Sequence, residues 1–258
     1  MFYPGFGINV DTFNMNFTYD KNTFGPEVEV RHLDDIRKSM LDSKADGPDK
    51  VYTIAMDVGD KLDFEDLNQR FLLFGVCTYA AGKIGKEPVR SQGHIHSISA
   101  SCNSTTPEVY EVWQGKCTVL LQETANDNPG RVYAVTAKKG EVIVVPPGWA
   151  HCTVNADPRM PMTFGAWCIR DYGFEYANVR KHHGLAFYPI VNKNNNISWQ
   201  HNNCYKKTKI TVKNPSDYSN LGINLKKTIY EQYQDNHNAF EFVTNPQKYQ
   251  DVWYNFVP

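Results

Sequence analysis

From Val51 to Ile169 the chain is a succession of short apolar or alternating runs: VYTIAMDV, RFLLFGVCTYA, EVYEVW, CTVLLQ, RVYAV, EVIVVPP, CTVNA and MTFGAWCI. Turn clusters such as AAGKIGKEP, NDNPG, KKGE and NADPRMP separate them. Runs of this length, rich in β-branched and aromatic residues and evenly punctuated, predict an all-β antiparallel sandwich or barrel. A chain of 258 residues can bury such a core as one domain with appendages. We expect the barrel over residues 51–190, an N-terminal arm or cover over 1–50, and a C-terminal extension of unassigned role over 191–258. The arm carries a strand at Val28 to His32 and a polar helical stretch from Asp34 to Asp42, broken by Gly, Pro and Asp before Lys50. The extension is rich in Asn, Lys, Tyr and Gln, and Leu225, Ile229 and Tyr233 recur at four-residue intervals, which predicts a helix near Asn224 to Gln234.

Charge narrows the partners. With 27 basic and 28 acidic side chains there is no global field to attract nucleic acid or an anionic membrane, and a small molecule is the expected ligand. The N-terminus lacks the pattern of a secretion signal and no run is long and apolar enough for a membrane span, so a cytoplasmic location is expected. The six cysteines form no C-x-x-C pair and are expected to be reduced.

Two segments carry chemistry: GHIHSISASCNSTTPEVYEVWQG from Gly93 and GEVIVVPPGWAHCTVN from Gly140. Alternate residues of a strand share a face, so His94 and His96 point together, as do Glu108 and Tyr110, while Glu111 takes the opposite face. His151 follows a Pro-Pro-Gly turn that swings it over the barrel mouth, with Thr153 and Asn155 on its face. Three imidazoles and one carboxylate form a mixed N/O site for one divalent transition metal: Fe²⁺ foremost, with Mn²⁺, Ni²⁺, Co²⁺ and Zn²⁺ as alternatives. A six-coordinate ion would keep two positions for substrate oxygens or water. His182, His183, His201 and His237 are read as ordinary structural or surface histidines.

These two segments resemble the paired motifs of the cupin superfamily. The surrounding chain, from about Gly5 to Ile190, is similar to the archaeal-type cupin glucose-6-phosphate isomerases, through FGINVD, VRHLDDI, VYTIAMDV, AAGKIGKE before SQGHIH, PEVYEVWQGK and VVPPGWAHCTVN. The resemblance implies a jelly-roll cupin barrel, metal ligands His94, His96, Glu108 and His151, and a sugar-phosphate pocket lined by Tyr52, Ser91, Gly93, Tyr110 and Tyr176. A family threonine that helps to hold phosphate falls on Cys77, beside Thr78, and Thr78 is taken as its substitute in the substrate-binding set. Phe174 stands where the family usually has a histidine, and Cys168 where it often has a tyrosine.

The activity implied is interconversion of glucose 6-phosphate and fructose 6-phosphate, with the metal on O1 and O2 of the open-chain sugar. Glu108 and Tyr176 are the expected catalytic pair, and a homodimer is expected by resemblance. Three other readings use the same ligands: isomerisation of another sugar, an iron cupin dioxygenase, and a binding cupin without catalysis. For the tyrosines the competing role is a barrel aromatic with a bonded hydroxyl, and for Gly93 a strand kink. Lys83 and Lys86 are read as solvated turn lysines rather than phosphate ligands.

Overall fold

The computed structural model describes residues 2–258. Numbered along the barrel, its strands are β1 Glu29–His32, β2 Lys50–Met56, β3 Leu72–Tyr79, β4 Glu108–Gln114, β5 Lys116–Gln122, β6 Val132–Lys138, β7 Val142–Val145, β8 Ala150–Asn155, β9 Met162–Ile169 and β10 Ile210–Lys213. They form a six-stranded sheet in the order β7-β4-β9-β3-β2-β1 and a four-stranded sheet in the order β8-β5-β6-β10. Every pairing is antiparallel except β6 with β10. This is the jelly-roll barrel that the resemblance implies.

The two-residue period of the strands divides the apolar residues into layers. Tyr52, Tyr79, Tyr110 and Phe164 from the large sheet meet Val119, Leu121 and Val135 from the small one in the barrel interior. The alternate residues of the large sheet, among them Phe74, Val76, Val109, Trp113 and Trp167, face outward and need a second cover. The chain supplies it from its own ends: Phe6 and Phe17 from the N-terminal arm, and Tyr230, Tyr233, Phe240, Phe242 and Phe256 from the C-terminal segment, complete that outer core. The outer face of the small sheet is covered by Val179, Leu185, Phe187 and Tyr205.

The ends of the chain differ in detail from the sequence expectation. The sequence pattern ends the barrel near residue 190, whereas Ile210–Lys213 returns to add a parallel strand to β6. The polar helix expected over Asp34 to Asp42 is a single turn, Leu33–Ile36, followed by a 3₁₀ turn, Arg37–Ser39, because the backbone is already extended at Met40. The C-terminal helix runs over Ile229–Asp235, and Leu225 lies outside it, 49% exposed. A Thr228/Glu231 capping box sets the start: Glu231 N donates to Thr228 Oγ1 at 3.2 Å and Thr228 N donates to Glu231 Oε2 at 3.1 Å. The stripe that packs is therefore Ile229, Tyr230 and Tyr233.

Glu111 ties this helix to the barrel. It lies on the outer face of β4 at 2% exposure, accepting from Trp113 Nε1 and from Ile229 N, both at 3.1 Å. Burial pushes its carboxyl up to about 8, against the opposing pull of those two donors. Because the folded value lies above the ordinary 4.5, this group's stability contribution is full below about 4.5 and is lost as pH rises through about 8. Glu111→Ala is expected to lower unfolding stability at pH 6 by roughly 1–3 kcal/mol through two orphaned N–H groups. The deficit should shrink by pH 9 while metal affinity stays unchanged; urea melts at both pH values and a metal titration check this.

Candidate metal centre

The first pair of candidate ligands is placed by backbone pairing across the barrel mouth. His94 N donates to His151 O at 3.0 Å and His151 N donates to His94 O at 2.9 Å, a narrow antiparallel bridge that sets the two imidazoles face to edge with centroids 4.3 Å apart. Gly93, immediately before, has φ +88°, and a Cβ there would sit 3.3 Å from His151 O, so a side chain would be strained and crowd the bridge. His96 is in register with Phe174 in a two-residue pairing. Glu108 opens β4 opposite Val145, the last residue of β7 before the Pro-Pro-Gly turn.

The four side chains converge as the strand parity predicts. One ligand atom from each of His94, His96, Glu108 and His151 lies within 4.8 Å of all the others. Donors bound to one ion at about 2.0–2.2 Å lie at most roughly 4.4 Å apart, so the cluster need contract only slightly to hold a metal. His96 Nδ1 lies 2.8 Å from Thr106 O and His151 Nδ1 lies 3.2 Å from Trp149 O, which puts the proton on Nδ1 in each ring and leaves the Nε2 lone pair free. His94 Nε2 and His151 Nε2 are buried without a hydrogen-bond partner among the described residues. Buried polar atoms without partners are costly, and a cation satisfies both at once.

The electrostatics suit a ligand set. His94 is held well below the ordinary imidazole range by burial and by repulsion from His151 and His96, so it is neutral and its lone pair is available. Burial pushes the Glu108 carboxyl up, and protonated His151 and His96 rings outweigh it and pull it down to about 2; with those rings neutral and protonated at Nδ1, a bound cation would supply the same pull. Glu108 Oε2 lies 3.3 Å from His96 Nε2 and 3.6 Å from His151 Nε2. Tyr110 donates its hydroxyl to the same oxygen at 3.1 Å and accepts from Thr153 Oγ1 at 3.4 Å. The carboxylate is thereby oriented from behind.

A cavity of about 250 Å³ opens above the cluster. Its lining includes Tyr52, Ser91, Gly93, Tyr110 and Tyr176, all taken from the resemblance, together with His94 and Glu108. Thr78 requires a correction. It is fully buried on the outer face of β3, 2.7 Å from Thr163 Oγ1, while its neighbour Cys77 lines the cavity. One step along a strand reverses the face, so Thr78 cannot replace the threonine that Cys77 displaces. Phe174 lines the cavity with its ring centroid 4.3 Å from that of His94. Cys168 is buried and outside the lining, and Lys83 and Lys86 are exposed, also outside it.

The lining also holds polar residues outside the expected substrate set, among them Arg31, Gln92 and Thr153. Thr153 was already on the His151 face, and Gln92 stands between two selected positions. Arg31 lies within VRHLDDI and is paired in register with Tyr52, a contact that no local pattern reveals.

The model of the family Glucose-6-phosphate isomerase (GPI) matches residues 34–207, more than half of the chain. Glucose-6-phosphate isomerase of Thermococcus onnurineus is 30% identical over 165 residues, covering 61% of this chain and 77% of that protein. The Pyrococcus furiosus glucose-6-phosphate isomerase is 30% identical over 160 residues, covering 60% and 77%. A putative glucose-6-phosphate isomerase 1 of Rhizobium meliloti is 38% identical over a shorter stretch of 116 residues, covering 44% and 49%. Among solved structures, an oxalate oxidase shares 18% identity over 51% of this chain and 59% of its own, at a TM-score of 0.35, a likeness too slight to carry an argument about activity.

His94→Ala and His151→Ala are each expected to lower divalent-metal affinity by a hundredfold or more, with an unchanged far-ultraviolet dichroism spectrum. Thr78→Val should leave it unchanged. Titration of the purified variants with Zn²⁺ and Mn²⁺ by calorimetry checks both expectations.

Proposed function

Because the chain belongs to the glucose-6-phosphate isomerase family, in its cupin branch, we propose that it interconverts glucose 6-phosphate and fructose 6-phosphate in a metal-dependent reaction. The observation that carries this reading is the cluster of three imidazoles and one carboxylate, two of its ring nitrogens orphaned, at the floor of a cavity with polar groups around it. A divalent ion held by His94, His96, Glu108 and His151 would supply Lewis acidity toward the two adjacent sugar oxygens on which negative charge develops.

The remaining roles fall to the chain's own side chains. Glu108 removes the proton from C2 of the open-chain aldose and returns it to C1, leaving the ketose, and Tyr110 keeps that carboxylate aimed through its 3.1 Å hydrogen bond. Tyr176, half-buried at the cavity edge, moves a proton between the two oxygens as the carbonyl shifts from C1 to C2. Burial raises its hydroxyl above the ordinary phenol range, which keeps it protonated and able to donate at neutral pH. Tyr52, Ser91 and Gly93 line the cavity where the rest of the sugar phosphate would lie. Phe174 over His94 favours a second reading within the same chemistry, a different sugar, since an apolar ring replaces a polar group beside the ligand cluster.

A homodimer would form through some surface other than the outer face of the six-stranded sheet, because the C-terminal aromatics of the same chain already bury that face. Iron is the ion expected first, with manganese, nickel, cobalt and zinc as alternatives for an N/O donor set.

A coupled assay on metal-stripped protein, restored with each of these ions separately, should give turnover of fructose 6-phosphate only in the restored samples. Turnover in heavy water should place solvent deuterium at C1 of the ketose. Retention of the original hydrogen would move the reaction to an intramolecular shift and remove the base role from Glu108. Turnover of another sugar alone would keep the mechanism and change the substrate.

A further inference from the structure

Two guanidinium groups in unlike states stand near the cavity: Arg31 within its lining, and Arg180 outside that lining but in contact with the lining residues Gln92 and Tyr176. Arg31 lines the cavity and is ion-paired with Glu29, which lines it too, so that its charge is largely cancelled. Arg180, on the helix Ala177–Lys181, has no carboxylate within ion-pair distance among the described residues. Its Nε donates to Gln92 Oε1 at 2.9 Å, and its guanidinium carbon lies 4.8 Å from the centre of the Tyr176 ring. Gln92 is 6% exposed and lines the cavity between Ser91 and Gly93, and Tyr176 lines it too.

We propose that Arg180 is a specificity-determining residue that, with Arg31 across Tyr176, makes the anion-binding end of the cavity and holds the phosphate of a sugar-phosphate substrate. This rests on the reading of the cavity as a sugar-phosphate site and adds to it the group that selects phosphorylated over free sugars.

The chemistry of the neighbours supports the assignment. A guanidinium fixed at Nε by a neutral amide and stacked on an aromatic face has little rotational freedom left to lose. Its two terminal amino groups make no hydrogen bond to the described residues. A preorganised planar fork of donors matches a phosphate better than a carboxylate-neutralised or freely rotating cation does. Burial pushes the Tyr176 hydroxyl up, and the charges of both Arg31 and Arg180 pull against it. Cys77 stands in the lining as a half-buried thiol pushed up by desolvation and by Glu108, a poor partner for a dianion. A cation from outside the barrel strands is thus the group available to balance the phosphate charge.

The test compares wild type, Arg180→Gln and Glu29→Gln, each metal-loaded, by steady-state kinetics with fructose 6-phosphate and by calorimetric titration with inorganic phosphate. Loss of one charge-assisted contact should raise KM for fructose 6-phosphate and weaken phosphate binding by about 10- to 100-fold in Arg180→Gln, with kcat within about threefold. Glu29→Gln, which releases Arg31 from its partner, should tighten phosphate binding, and an unchanged affinity in that variant would overturn the part assigned to Arg31. Equal KM and equal phosphate affinity in wild type and Arg180→Gln would overturn the proposal, as would a fall in kcat without a change in KM. If wild type binds phosphate through Arg180 yet turns over no fructose 6-phosphate, the anion site stands and the isomerase reading fails.

Discussion

Two backbone hydrogen bonds between His94 and His151 bring the two ligand-bearing segments side by side, and the candidate centre depends on that bridge. Each segment alone offers an incomplete ligand set. The bridge is geometrically possible because Gly93 takes a backbone conformation that other residues rarely adopt, and because the Pro-Pro-Gly turn returns β8 toward the mouth. With the bridge in place, Glu108 needs only the pairing of β4 with β7 to reach the same point.

The segment that carries Ser91, Gln92 and His94 is anchored from below by a buried ion pair. Arg90 and Glu87 are 3% and 2% exposed and joined at 2.7 Å. Arg90 also donates to Ser39 O and Ser91 O, while Glu87 accepts from Leu41 N at 2.7 Å. A buried pair of this kind is a weak source of net stability, because desolvation offsets the attraction. Its value here is positional, since it fastens the N-terminal arm to the strand entering the site. Arg31 lies on the barrel's edge strand in that same arm, so arm and cavity rim are mechanically one structure.

Strand parity explains what sequence reasoning could and could not see at the site. It correctly separates Glu108, in the cavity, from Glu111, three residues on and buried against the C-terminal helix. The same rule keeps Thr78 off the face that Cys77 presents to the cavity, because neighbours on a regular strand face opposite ways. The helix in the extension was legible as a period but misplaced at its start. The capping signal Thr228-x-x-Glu231 locates that start better than the apolar spacing that included Leu225.

The sequence by itself determined the strand-and-turn pattern, and hence a barrel, and the four candidate ligand residues, because both depend on short-range regularities: the two-residue alternation, the turn residues and the motif spacing. Only the tertiary structure decided which distant segments meet. The return of Ile210–Lys213 to β6, the cover of C-terminal aromatics on the large sheet, the register of Arg31 with Tyr52 and the seat of Arg180 against Gln92 and Tyr176 are contacts between residues far apart in the chain. Such contacts are selected by the burial of complementary surfaces in the folded whole, a quantity that no local stretch of sequence contains.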